Sequence, residues 1–303
     1  MKNRIYLVAK DTGKRHYLTL APVHYDRSEF DLARSKLKLG IRPEKSTIKR
    51  ARALGSKLLR LKRKPWFFSS EGQHKMQASN RASKGLLKSF VMHFAPALSS
   101  GFQVCHGASR GCIEACLNLA GHGPIANVQA GRIKRTKLYF EHRSIFAILL
   151  WDMLDRLSRR KYAVALRLNG TSDLPWEIRE PWVFEMFPSI IFYDYSKVPG
   201  RFKRPLPENY SLTFSRSESN HAQAMDLLNA GESVAIVFDY ATWEAVKTRK
   251  NWFGYPVIDG SADDRRWLDP KGSIVALKPL GPATADKSGF VLRNSLKIIN
   301  QGV

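Results

Sequence analysis

All three cysteines of the chain fall within twelve residues, in the run Cys105-His-Gly-Ala-Ser-Arg-Gly-Cys112-Ile-Glu-Ala-Cys116. Scattered structural thiols would rarely cluster so tightly. Three thiolates close in sequence can bind three irons of a cubane [4Fe-4S] cluster and leave the fourth iron open to an outside ligand. Cys112 and Cys116 stand one helical turn apart, Cys105 reaches back from the loop, and Gly107 and Gly111 let the backbone wrap closely. Structural zinc is the rival reading. It takes four closed ligands, so His106 or His122 would have to supply the fourth, and neither stands in a finger arrangement. Buried free thiols are the third reading. A cysteine nucleophile gives no reason for three adjacent thiols.

These residues need a scaffold, and the chain alternates strands with helices from about residue 86 onward. Strand-like runs occupy 90–94, 162–168, 189–193, 210–214 and 233–238, with shorter ones at 257–258 and 274–277. Between them, helical spacing predicts one long amphipathic helix over 137–159, a helix opened by Pro175, and another over 218–230. Continuous apolar strands separated by helices mean a buried, mostly parallel sheet. No Gly-x-Gly-x-x-Gly or Walker sequence follows a strand, which removes the commonest cofactor reason for a doubly wound sheet. The choice is an open doubly wound sheet or a complete or partial (β/α) barrel, and the expected architecture over 85–303 is the barrel.

In barrels, functional groups sit on the loops after the strands. Those positions hold the cysteines, then Asn169, Ser172 and Asp173, then Tyr193, Asp194, Tyr195 and Lys197, then Ser215 and Arg216, then Asp239, and later Asp259, Asp263, Asp264 and Lys278. Asn169, Asp173 and Lys197 are the candidate catalytic groups. Ser215, Arg216 and Asp239 are the candidate cofactor-binding groups. An Asp173 that merely caps the helix after Pro175 is the competing structural reading.

Charge divides the chain differently. Its 303 residues carry 50 Lys and Arg against 26 Asp and Glu, a formal charge of +24. Residues 1–104 hold 23 basic and 6 acidic side chains, net +17, and the remainder nets +7. Residues 34–64 alone hold thirteen basic side chains and one acid, Glu44. Such a field attracts polyanions by releasing counterions from a phosphate backbone. A helix from Pro43 that ends at Pro65 would carry Lys49, Arg50, Arg52, Lys57, Arg60, Lys62, Arg63 and Lys64, with Trp66, Phe67 and Phe68 directly behind. Basic helix plus aromatics reads as a nucleic-acid surface; a solvated helix whose aromatics dock on the main domain is the plainer alternative. A hairpin over 4–9 and 15–20, this helix, and a polar loop from 69 to 84 make up an N-terminal region, 1–84.

An odd cysteine count, no cleavage signal and no apolar run near the roughly 20 residues of a membrane span point to a cytoplasmic protein. A fully disordered chain is excluded by 44 % apolar and 11 % aromatic residues.

The run from Asn80 through Cys116 resembles the cysteine loop of gene-product-eighty-eight-like proteins of phages and mobile elements, which in turn look like radical-SAM barrels. The pieces Arg167-Leu168-Asn169-Gly170-Thr171-Ser172-Asp173, Phe192-Tyr193-Asp194-Tyr195-Ser196-Lys197, and Val257-Ile258-Asp259-Gly260 through Leu268-Asp269-Pro270 are similar to recurrent motifs of that group. The resemblance covers roughly 80–290. It implies a radical-SAM-like partial barrel with a three-cysteine [4Fe-4S] cluster at its mouth, in the host cytoplasm if phage-encoded. Typical radical-SAM enzymes space their cysteines Cys-x-x-x-Cys-x-x-Cys, whereas six and then three residues intervene here. Asn-Gly-Thr-Ser-Asp also stands where Gly-Gly-Glu would hold the SAM amine, so the resemblance carries the cluster further than SAM. The expected function is an iron–sulfur protein that binds nucleic acid. The alternative is a non-enzymatic, replication-associated DNA-binding protein with a structural zinc.

Overall fold

The computed structural model describes residues 18–69 and 74–293. The hairpin read over 4–9 and 15–20 lies outside the described residues, apart from its last three positions. Two helices open the described chain, α1 (Ser28–Leu37) and α2 (Lys45–Leu59). Helix α2 stops six residues before Pro65. Arg60 adopts a left-handed conformation (φ 55°), its amide donates to Lys57 O, and the Leu61 amide donates to Ser56 O at 2.8 Å. That pair of bonds satisfies the last carbonyls of the helix and turns the chain away.

A nine-stranded sheet forms the centre. The edge strand β1 (Phe68–Ser69) runs antiparallel to β2 (Leu87–Met92), with Phe68 opposite Met92. Then β3 (Ala163–Arg167), β4 (Ile190–Ser196), β5 (Tyr210–Ser215) and β6 (Val234–Val237) follow in parallel, in chain order. The order reverses at the far side: β9 (Ile274–Leu277) pairs with β6, β8 (Tyr255–Asp259) lies outside β9, and β7 (Asn251–Trp252) forms the antiparallel edge. The fold is thus mixed α/β on a mostly parallel sheet. Its two edge strands stay apart, so the described strands do not close a barrel.

One face of the sheet carries the large helices. Phe90, Met92, Val164, Leu166, Ile190 and Phe192 point toward α6 (Arg143–Ser158) in the main core. Phe214, Val234, Ile236, Ile274 and Ala276 continue that face under α9 (His221–Asn229) and α10 (Tyr240–Arg249). Parallel strands in chain order with right-handed crossovers put their helices on one side in this way. Each fully buried leucine of α6, such as Leu149 or Leu154, contributes about 1.5–3 kcal/mol. On the other face, Asn80 of α3 (His74–Ala82) accepts the Ser89 amide at 3.0 Å. A helix therefore stands where the polar composition reads as a loop.

The single helix expected over 137–159 is two, α5 (Ala126–Glu141) and α6, broken at His142, which leaves helical geometry and bonds to Tyr25 OH at 2.7 Å. The first half of α5 escapes periodicity because its buried side chains include Gln129, Arg132, Lys134 and Thr136.

The N-terminal helices share the core of the sheet. Phe30, Leu37, Ile48, Ala51 and Leu58 are buried in it. A Cβ on Gly55 would sit 2.6 Å from Leu149 Cδ1, so only glycine lets α2 approach α6 this closely. Phe67 stacks on Phe146 at 4.9 Å between ring centres, and Phe68 is buried too. These two aromatics dock on the main body and only Trp66 is exposed.

Candidate metal centre

The chain leaves the sheet at Met92 and enters the cysteine loop at the C-terminal end of the parallel strands. Cys105 is placed there by its neighbours: Val104 donates to Ala97 O at 3.3 Å and accepts the Asp173 amide at 2.7 Å. The Cys105 Sγ accepts the Ala97 amide at 3.3 Å. Cys112 lies in the short α4 (Arg110–Glu114), whose N-cap Ser109 accepts the Cys112 amide at 3.2 Å. Cys116 caps the 3₁₀ turn Leu117–Leu119, its Sγ accepting the Asn118 amide at 3.5 Å.

All three thiols line one cavity of about 50 Å3, together with Pro96, Ala97, Ile113, Leu119, Asn118 and Gln129. A water needs only about 10–15 Å3 on the same measure, so the space suits a larger group. Burial pushes the Cys105 thiol up to about 12 and the Cys116 thiol up to about 11. Both are neutral at pH 7 unless something takes their protons.

The polar part of an otherwise apolar wall is satisfied. Asn118 donates to Gln129 Oε1 at 3.1 Å, and Gln129 donates to Gly123 O at 2.6 Å. Arg132 donates to the Asn118 side-chain oxygen; burial lowers its pKa, against the pull of Cys116. Lys197 lies near enough for its charge to favour the Cys116 thiolate. Its ammonium bonds Ser215 Oγ and sits 5.5 Å from the Phe290 ring centre, and Phe290 packs with Cys112. Among the described residues neither Arg132 nor Lys197 has a carboxylate partner within 4.0 Å, so two cations flank the thiols.

The strand-end residues divide into groups. Asp173 does not cap the helix α7 (Trp176–Arg179) after Pro175. Its carboxylate accepts the Lys197 amide and the Arg201 guanidinium, each at 2.8 Å. Arg201 also grips both oxygens of Glu177, at 2.8 and 2.7 Å, so this knot ties the end of β3 to the end of β4. Asn169 is saturated: its side chain donates to Leu174 O and Asp194, and accepts from Ser172, the Leu174 amide and Trp176. Burial pushes Asp194 up to about 7, against the lowering by Arg167 and the Asn169 amide. Ser215 touches Lys197, while Arg216 donates to Phe290 O at 3.0 Å. Asp239 caps α10 through the Thr242 amide at 2.7 Å and does not line the cavity. Tyr193 and Tyr195 turn to the opposite face of the sheet, where both hydroxyls donate to Asp264, at 3.2 and 3.0 Å.

Of the basic candidates, Arg52 is paired with Asp152 and Arg50 with Glu29 at 2.6 Å. Lys49, Lys57, Arg60, Lys62, Arg63 and Lys64 are exposed. Sequence reasoning passed over Gln129, Arg132, Arg201 and Glu218, because no local pattern links them to the loop they serve. The one available signal was an arginine and a glutamine at helical spacing just beyond the cysteines.

No helix among the described residues is long and apolar enough to cross a membrane. Comparison with curated proteins found no match, and comparison with solved structures found none either. The family model described as gene product 88, a phage-type family, matches residues 66–294. That span takes in the edge strand, the cysteine loop and every parallel strand, and this chain belongs to the gene product 88 family.

Proposed function

We propose that this chain is an iron–sulfur protein that holds a [4Fe-4S] cluster on Cys105, Cys112 and Cys116, at the mouth of a radical-SAM-like partial barrel, and works on nucleic acid. One observation carries the reading: three thiols brought round one cavity at the C-terminal ends of the parallel strands. A single zinc, with Zn–S near 2.3 Å, would draw thiolates to about 3.8 Å from one another. Among the described residues no three Cys, His, Asp or Glu side chains are gathered for one ion. A cubane spreads its three thiolates over separate irons, which suits ligands set round a cavity.

The donor set fits such a group. Amides of Ala97 and Asn118 already point at sulfur, and hydrogen bonds of this kind tune a cluster. Arg132 and Lys197 offset the negative charge that three thiolates bring into a buried site. When bound, the cluster supplies one-electron transfer and an iron position free for an outside ligand. The chain's part is to release the thiol protons on loading, keep α4 seated so that Cys112 faces the cavity, and give the site apolar walls in Pro96, Ala97, Ile113 and Leu119. The parallel order of β2 to β6 and the helices on one face support the partial-barrel reading. The exposed Lys49, Lys57, Arg60, Lys62, Arg63 and Lys64 support the nucleic-acid partner.

Anaerobic reconstitution with iron and sulfide tests the proposal. The expected product is brown, absorbs near roughly 400 nm and holds about four irons per chain, while the Cys105→Ala, Cys112→Ala, Cys116→Ala triple variant stays colourless. A colourless chain carrying one zinc would overturn it.

A further inference from the structure

We infer that the basic patch and the cysteine cavity serve one substrate, a single-stranded nucleic acid whose backbone lies on Arg60 to Lys64 while an unpaired nucleotide reaches the cavity. The inference rests on the nucleic-acid half of the preceding proposal and adds where the strand goes.

Helix α5 is the common wall. Along one turn of it, Arg132 bonds Asn118, which lines the cavity, and Lys134 donates to Leu59 O at 3.3 Å, the last residue of α2 before the basic run begins. Arg60 is close enough to Lys134 for the two charges to repel. The chain returns from the basic run to pair Phe68 with Met92, the residue at which β2 passes into the cysteine loop. Basic run and cavity therefore both lie at the C-terminal end of β2, on either side of α5.

The chemistry of the patch selects a single strand. Lys62, Arg63 and Lys64 are exposed. Beside them Trp66 is 40 % exposed, with the Arg156 guanidinium 5.3 Å from its ring centre. Phosphates on the cations and a base on the indole make the usual single-strand platform, and stacking needs an unpaired base. A base also has to leave a duplex before a buried centre can act on it.

The test uses the full chain and a fluorescent 15-nucleotide single strand carrying a photocrosslinking base. Crosslinks are expected both near residues 60–68 and in the loop 97–119. In K62Q/R63Q/K64Q, affinity should fall on the order of tenfold, and the salt slope should flatten by about 2, given about 0.7 per phosphate contact on a single strand. Crosslinks in both segments should fall together. Binding with no crosslink in 97–119 would overturn the shared substrate and leave nucleic-acid binding standing. Unchanged affinity in the triple variant would overturn the patch. No oligonucleotide binding, or capture by phosphatidylserine vesicles in its place, would overturn the nucleic-acid reading itself. Crosslinking reads out without iron, so a chain that fails to take up a cluster overturns only the cluster proposal.

Discussion

Glu218 holds Gly111: its carboxylate accepts the Gly111 amide at 2.7 Å and, on the other oxygen, the Ser109 hydroxyl at 2.8 Å. The loop after β5 thereby seats the helix that carries Cys112, although more than a hundred residues separate the two in sequence. A Cβ on Gly111 would meet Ser288 Oγ at 2.1 Å and Glu218 Oε1 at 2.8 Å, which is why the position suits glycine.

Removing this clamp should loosen the cysteine helix before it unfolds the protein. Glu218→Ala leaves a part-buried amide unsatisfied, at a cost of about 1–3 kcal/mol. Iron per chain after reconstitution and gel filtration should drop well below that of the parent, with a circular dichroism spectrum that is unchanged. Full iron retention would show that the clamp is dispensable.

The Asp173–Arg201–Glu177 knot should be structural in its first effect. Arg201→Met leaves two buried carboxylates without their cation, and breaking a buried pair from one side costs about 3–5 kcal/mol. Chemical denaturation should show that loss as a lower midpoint. A change below about 0.5 kcal/mol, the scale of an exposed ion pair, would contradict it.

Phe146 joins the N-terminal helices to the sheet through Phe67, Phe94, Tyr139 and Trp176. Phe146→Ala should cost about 3–5 kcal/mol. The transition should remain single, since α1, α2 and the sheet share that core. Two separated melting steps would mean that the helices fold on their own.

Stability should fall as pH rises from about 4 to 7 on account of Asp194. Its pKa in the folded chain is raised from 3.8 to about 7, so the folded state binds the extra proton in that window and loses its advantage as the proton leaves. The slope from one group is at most about 1.4 kcal/mol per pH unit. Asp269, pushed up to about 6 by burial, adds the same sign over a narrower range. Urea midpoints against pH should show the decline, and Asp194→Asn should flatten it.

If the proposed cluster is loaded, Arg132 should set its redox balance. Reduction adds a negative charge beside it, so Arg132→Gln should lower the midpoint potential, about 59 mV marking a tenfold change for one electron. Arg132→Lys keeps the charge and should restore most of it. Equal potentials in all three proteins would remove Arg132 from the role.

Short-range patterns were readable directly. The strand over 274–277 and the strands near 163, 190, 210 and 234 stand where apolar runs place them, because a buried parallel strand must be continuously apolar. The part of α5 before residue 137 escapes periodicity because Gln129, Arg132, Lys134 and Thr136 are buried there beside Ala130 and Ile133. Helix α2 ends six residues short of Pro65 because a left-handed arginine, and not the proline, stops it. Asp173 looked equally like a cap and a reactive group; Arg201, 28 residues away, decides that it is neither cap nor free.

The sequence alone determined that three thiols stand within twelve residues, that the chain winds strand and helix alternately, and that +17 of its +24 lies before residue 105. These are local properties, set by spacing and side-chain type. Only the tertiary structure decided that the thiols face one cavity, that Glu218 seats the helix of Cys112, and that the basic run starts against the same helix as Arg132. Each of those depends on segments far apart in the chain meeting across a folded sheet, and no periodicity records such a meeting.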